Sequence, residues 1–228
     1  MFQRTPSLDK SFTALEVEMR HAKIRRTLFV SLLLAISALL LPANAPGATA
    51  AVQSNSMGFI GCSMAENVAQ GYVAVGGTRM WGPYGTGGLV VQSWTNPNSS
   101  TWQKFDQQAN RFGKPSAVWV QICIFARNGA TYDEVKKLIA NARLHAAAGA
   151  AIFISGQPLY DAGQTCSLAG ANGPSLTDNL ARQAASDSTQ KVTYAGAFRL
   201  KSNEVADGCH ANAAGQQSLG RQALSFWG

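Results

Sequence analysis

A serine after an apolar run, and a histidine three residues after an aspartate, are the parts of this sequence that could do chemistry together. Ser63 stands in GFIGCSMAENVAQGY, residues 58–72, just beyond the apolar run Met57–Ile60. A serine hydroxyl becomes a nucleophile beside a base, usually histidine, that a third group orients. The chain has three histidines. His21 falls in a basic N-terminal segment, and His145 sits beside Arg143 at the end of a helix-like stretch, where it is expected to face solvent. That leaves His210, in EVADGCHANAAGQ, with Asp207 three residues ahead of it. Asp-x-x-His on a turn can set the carboxylate against one ring nitrogen and fix the tautomer, so that the other nitrogen can face a hydroxyl. Each residue also has a plainer role. Ser63 could be a helix N-cap, His210 a capping or packing residue, and Asp207 a turn residue.

Elements that would position these groups can be read around them. The apolar runs Met57–Ile60, Ala117–Ile124, Ala150–Ile154 and Lys191–Ala195 lack strict alternation, as strands covered on both faces do. Helical stretches separate them. In TYDEVKKLIANARLHAAAG, Thr131 and Glu134 form a capping box, Val135, Leu138, Ile139 and Ala142 share a face, and Gly149 is the expected stop. A last helix begins near Asn212. Strands alternating with helices imply a parallel sheet with helices on both faces, and sites in such sheets lie at the carboxyl ends of the strands. Ser63 falls on that edge. The stretch from Gly76 to Trp102 reads as long loops with one short strand, Leu89–Gln92. Within it Trp81, Tyr84, Trp94 and Trp102 either line a sugar-sized cleft or pack the loop onto the domain. Asp161, Arg79 and Arg127 could reach a ligand, or serve as a turn residue and solvated cations.

The formal charge of +7 is uneven. The first 50 residues hold six Lys/Arg and three acids, which leaves +4 for residues 51–228. No basic cluster marks that body, so nucleic acid is not an expected partner. Basic RHAKIRR, the uncharged apolar run of residues 27–41 and the small residues of PANAPGATA have the layout of a secretory signal peptide. The run is 15 residues long, short for a spanning helix, which needs about 20. Residues 1–50 are thus read as an N-terminal extension with a signal peptide, and residues 51–228 as one exported domain. An uncleaved anchor is the rival, and a start at Met19 would make a tidier signal. Four cysteines, Cys62, Cys123, Cys166 and Cys209, contain no Cys-x-x-Cys pair. In an exported chain they suggest two disulfides with three possible pairings. Free buried thiols, or a Cys62 thiolate nucleophile, are the other options.

GFIGCSM resembles the Gly-Asp-Ser-Leu block of the SGNH (GDSL-type) hydrolases, and DGCHANAAG resembles their Asp-x-x-His block. The order of the blocks also agrees, and the resemblance spans residues 57–228. It implies an α/β, three-layer, flavodoxin-like sandwich with a mostly parallel central sheet. It implies ester hydrolysis by Ser63, His210 and Asp207, with an oxyanion hole from the Ser63 amide, a loop glycine (Gly88, with Gly87 close behind) and an asparagine. Two departures stand out. The family's Asp before the serine is Cys62 here. The family's Gly-x-Asn-Asp block falls near Cys123-Ile124-Phe125-Ala126, without its asparagine; Asn128 could substitute only if the loop bends. In the fold so implied, Cys62 and Cys123 end neighbouring strands, about 4.8 Å apart, within the reach of a disulfide. A Cys62–Cys123 bond would replace the missing polar link, and Cys166–Cys209 would pin the His210 loop.

The expected protein is a secreted or periplasmic serine esterase, monomeric and cofactor-free, acting on small acyl or acetyl esters. The alcohol could be a carbohydrate held by Trp81, Tyr84 and Trp94. A non-catalytic glycan-binding protein on the same fold is the alternative.

Overall fold

A computed structural model describes residues 53–228; the signal-peptide reading of residues 1–50 lies outside them. Strand β1 (Met57–Ile60) leads into helix α1 (Ser63–Ala74). Strand β2 (Ala117–Gln121) and strand β3 (Ala151–Ser155) flank helix α4 (Tyr132–His145). Helices α2 (Val91–Trp94) and α3 (Ser100–Phe112) come before β2. After β3 come β4 (Leu159–Tyr160), α5 (Gly173–Ser186), β5 (Thr193–Tyr194), β6 (Arg199–Leu200) and α6 (Ala213–Trp227).

The main sheet runs β1-β2-β3-β5, all parallel, with Met57 opposite Ala117 and Ala117 opposite Ala151. On the free side of β1, Met80 makes one parallel bridge to Met57. The chain therefore steps to one side of β1 and then to the other, which opens a switch point between the carboxyl ends of β1 and β2. β1 and β2 are buried along their whole length, which explains their unalternated apolar sequences. Successive residues still face opposite layers. A Cβ at Gly58 would meet Phe105 of α3. Trp119 of β2 instead lies 5.4 Å from Trp227 of α6. α3, α4 and α5 pack on β1, β2 and β3, while α1 pairs with α6. This is the expected α/β sandwich.

Glycine decides how closely α1 and α6 cross. A Cβ at Gly71 would stand 1.7 Å from Gln216 O, and one at Gly220 would stand 2.2 Å from Gly71 O. That contact ties the helix carrying Ser63 to the helix that follows His210.

Some elements differ from expectation. Leu89–Gln92 is not a strand: Val91 opens α2, and its N–H donates to Cys123 O (2.9 Å) instead of entering a ladder. The stretch read as loop also holds the start of α3, which buries Trp102 and Phe105. α4 has the Thr131/Glu134 capping box but ends at His145, and Gly149 (φ 76°) belongs to the turn after it. His145 does not face solvent. It stacks on Trp102 at 4.3 Å and bonds Asp106 Oδ1 (2.8 Å) and Pro97 O (3.1 Å).

Candidate active site

Ser63 is the first residue of α1, and Cys62 occupies the cap position without a side-chain capping bond. The Ser63 hydroxyl is thus not spent on the helix end. Ser63 Oγ lies 2.7 Å from His210 Nε2. His210 Nδ1 lies 2.8 Å from Asp207 Oδ2. The other carboxylate oxygen, Asp207 Oδ1, accepts the N–H groups of His210 (2.8 Å) and Cys209 (3.2 Å). The backbone N–H of His210, and then its imidazole, hold the Asp207 carboxyl below the usual carboxylate range. An ionised Asp207 accepts from Nδ1–H, which leaves Nε2 free to accept from the Ser63 hydroxyl.

The loop that carries the pair is held from several sides. Ala206 N–H donates to His210 O (2.8 Å), and Val205 bridges Ala211. Asn67, one turn into α1, accepts the Ala211 N–H (3.0 Å) and so fixes the loop to the helix that carries Ser63. Asn212 caps α6 by accepting the Gly215 N–H (3.0 Å). The Tyr160 hydroxyl donates to Cys209 O; burial, then the nearby Asp207 charge, push this phenol well above its usual range. Disulfides join Cys62 to Cys123 and Cys166 to Cys209, the pairing expected from the resemblance. The first ties the residue before Ser63 to the segment after β2. The second ties the residue before His210 to the loop ahead of α5. Two disulfides suit an oxidising compartment, extracellular or periplasmic. No helix among the described residues is long and apolar enough to cross a membrane, and they contain no His/Cys/Asp/Glu cluster able to hold a metal.

Ser63 and His210 border a cavity of about 20 Å³, together with Gly88, Ile124 and Gln157. That is room for one water-sized group. Phe125 and Leu168 also line a wider groove of about 450 Å³, whose other walls are Ala126, Arg127 and Ser167. Gly88 lines the small cavity, and its loop is anchored to α1. Glu66 Oε1 accepts the N–H groups of Gly85 (2.6 Å) and Thr86 (2.8 Å), and Thr86 Oγ1 donates to Cys62 O (3.2 Å).

Other expected site residues lie elsewhere. Asn128 is exposed in the turn Phe125–Gly129, where its Oδ1 accepts from Arg127 Nε (3.2 Å); the turn does not bring it to Ser63. Trp81 and Trp94 do not line a cleft. Their accessible fractions are 0% and 1%, and their indoles donate inward to Asn55 O and Gly61 O. Tyr84 donates its hydroxyl to Phe59 O and packs its ring 4.9 Å from Phe59. Area decides this: the loop covers an open face of the sheet, and large rings gain more by filling it than by standing in water. The surface on which glycan binding was expected is therefore core. Arg79 lies beside the amino end of β1, away from the site, and Asp161 accepts the Ser202 N–H (3.4 Å). Glu66, Asn67, Thr86, Gln157 and Tyr160 were not foreseen. No local pattern marks them, because each acts on a segment at least 19 residues away.

No family model and no curated protein matches the chain. Solved structures do. One is described as "a putative SGNH hydrolase from Slackia heliotrinireducens": 19% identity, TM-score 0.52, covering 77% of this chain and all of that one. Another is described as "a putative platelet activating factor from Streptococcus pneumonia": 14% identity, TM-score 0.56, covering 78% of this chain and 86% of that one. At such identities the likeness concerns the architecture alone. The described chain has an SGNH-hydrolase-like fold.

Proposed function

We propose that this protein is an exported serine hydrolase of small acyl or acetyl esters. The observation that carries the reading is the continuous chain Ser63 Oγ–His210 Nε2–Asp207, with contacts of 2.7 and 2.8 Å at the N-terminus of α1. A serine used only for packing or capping has no need of an oriented imidazole.

In this reading Ser63 Oγ attacks the ester carbonyl carbon while Nε2 of His210 takes the hydroxyl proton. Asp207 keeps the imidazole in the accepting tautomer and stabilises the imidazolium. The carbonyl oxygen becomes an anion beside the Ser63 N–H. As the first helical residue Ser63 has no intrahelical acceptor for that N–H, and the helix dipole favours negative charge there. Collapse of the intermediate breaks the bond to the alcohol oxygen, which receives the proton from His210. Water then repeats the sequence on the acyl-serine, releasing the carboxylic acid. The groove beside Phe125 and Leu168 suits the apolar part of the substrate, with Arg127 at its wall. The chemistry needs no cofactor.

The test is hydrolysis of an acetyl ester by residues 51–228 alongside Ser63→Ala. Activity lost in the variant, at unchanged melting temperature, is expected. Equal activity in the two proteins would refute the reading.

A further inference from the structure

The segment after β2 lacks the asparagine that the resemblance led us to expect, yet the small cavity beside Ser63 is not without a side-chain amide. Gln157, two residues beyond β3, lines it and is only 3% exposed. Its Oε1 accepts the Ile124 N–H (3.3 Å). That bond settles which way the amide faces: a backbone N–H can only donate, so the atom opposite it is oxygen and the NH₂ points away. Among the described residues Nε2 has no hydrogen-bond partner, and it is not among the side-chain nitrogens sealed from solvent without one. The residue is thus buried while its NH₂ stays accessible and free to donate to a group that enters the cavity.

The surroundings make this amide rigid. Gly156 sits so close to α5 that a Cβ would stand 2.5 Å from Asp178 N. The Gln157 N–H donates to Thr177 Oγ1 (3.0 Å), and Thr177 in turn donates to Pro174 O (3.0 Å). The backbone of Gln157 is thus clamped to α5 and its side-chain oxygen to the segment after β2. The cavity of about 20 Å³ is the size of one oxygen group and is shared by Ser63, Gly88 and Gln157.

We propose that Gln157 Nε2 donates to the oxyanion of the tetrahedral intermediate, beside the Ser63 and Gly88 amides, and so fills the role of the absent asparagine from a different strand. This rests on the hydrolase reading above. The segment after β2 keeps a part in the device: through Ile124 it holds the glutamine that replaces its own side chain.

The experiment measures kcat and KM for acetyl-ester hydrolysis in the unaltered protein, Ser63→Ala, Gln157→Ala and Gln157→Glu. Gln157→Glu keeps an oxygen for the Ile124 N–H while replacing the donor with a negative charge, and the melting temperature and folded fraction of each variant are read beside its activity. Loss of one oxyanion donor predicts a fall in kcat of about 10²–10³ with KM little changed. Both Gln157 variants should show it, and Gln157→Glu at least as strongly. Ser63-dependent hydrolysis with kcat within about threefold of the unaltered protein in a folded Gln157 variant would overturn the proposal and leave the hydrolase reading standing. A fall in activity only in proportion to lost folded protein would assign Gln157 a structural role and overturn it too. Absence of any Ser63-dependent hydrolysis would overturn both.

Discussion

Replacing Asp207 separates two things it does for His210, and the two replacements should differ in a telling order. Asp207→Asn keeps Oδ1 for the His210 and Cys209 N–H groups, so the turn should hold. It puts an NH₂ where Oδ2 meets His210 Nδ1 at 2.8 Å. That donor can only be satisfied if Nδ1 becomes the acceptor, which moves the ring proton to Nε2. Nε2 then faces Ser63 Oγ as a donor and cannot take its proton. An equivalent substitution in a serine protease triad costs about 10⁴ in kcat, or about 5.4 kcal/mol at 1.36 kcal/mol per decade. Asp207→Ala leaves the tautomer free. The Asp207 side chain is 58% exposed, so water can take its place at Nδ1. An exposed ion pair is worth up to about 1 kcal/mol, so the loss should be nearer tenfold. The prediction is therefore that Asn is the worse replacement by about two orders of magnitude or more, although it is the closer isostere. Initial rates on a p-nitrophenyl acetate series, checked against melting temperature, decide it. Asn equal to or better than Ala would refute the tautomer argument.

Other outcomes follow from the same geometry. The Asp207 carboxyl titrates below its usual range, so it stays ionised as pH falls through that range. The acid limb of kcat/KM should then not report the carboxylate and should persist in Asp207→Ala; its disappearance there would assign it to the carboxylate. Folding stability contributed by Asp207 is present above the ordinary carboxylate pKa and is lost only as pH drops through the lowered one, which acid unfolding of the Ala variant would show. Gly71→Ala forces a Cβ to 1.7 Å from Gln216 O. Separation of α1 and α6 should cost about 3 kcal/mol or more and lower the melting temperature by about 6–12 °C. Removing the Cys166–Cys209 bond, which spans 43 residues, should cost about 4 kcal/mol by loop entropy, read from denaturant unfolding. Glu66→Ala frees the Gly85 and Thr86 N–H groups and should lower kcat about tenfold, as the loop that presents Gly88 loosens.

Much was legible in the amino-acid sequence because it is written locally. Strand β1, the α4 capping box and the α6 cap each depend on residues within a few positions, and apolar runs without alternation told of a sheet covered twice. Ser63, Asp207 and His210 stood out because so few histidines compete and because Asp-x-x-His is itself a local turn. What misled was chemistry without location. Trp81 and Trp94 have the rings of a sugar site, but side-chain type does not say which way a loop folds, and the open sheet face claimed them. Asn128 was the nearest asparagine along the chain, whereas the amide at the cavity is Gln157, from the next strand. The sequence by itself determined the alternation of elements and singled out Ser63, His210 and Asp207 as the proposed nucleophile, base and orienting acid. Only the tertiary structure decided which groups face Ser63. Strands far apart in sequence lie side by side in a parallel sheet, and their carboxyl ends meet at a point that no local pattern encodes.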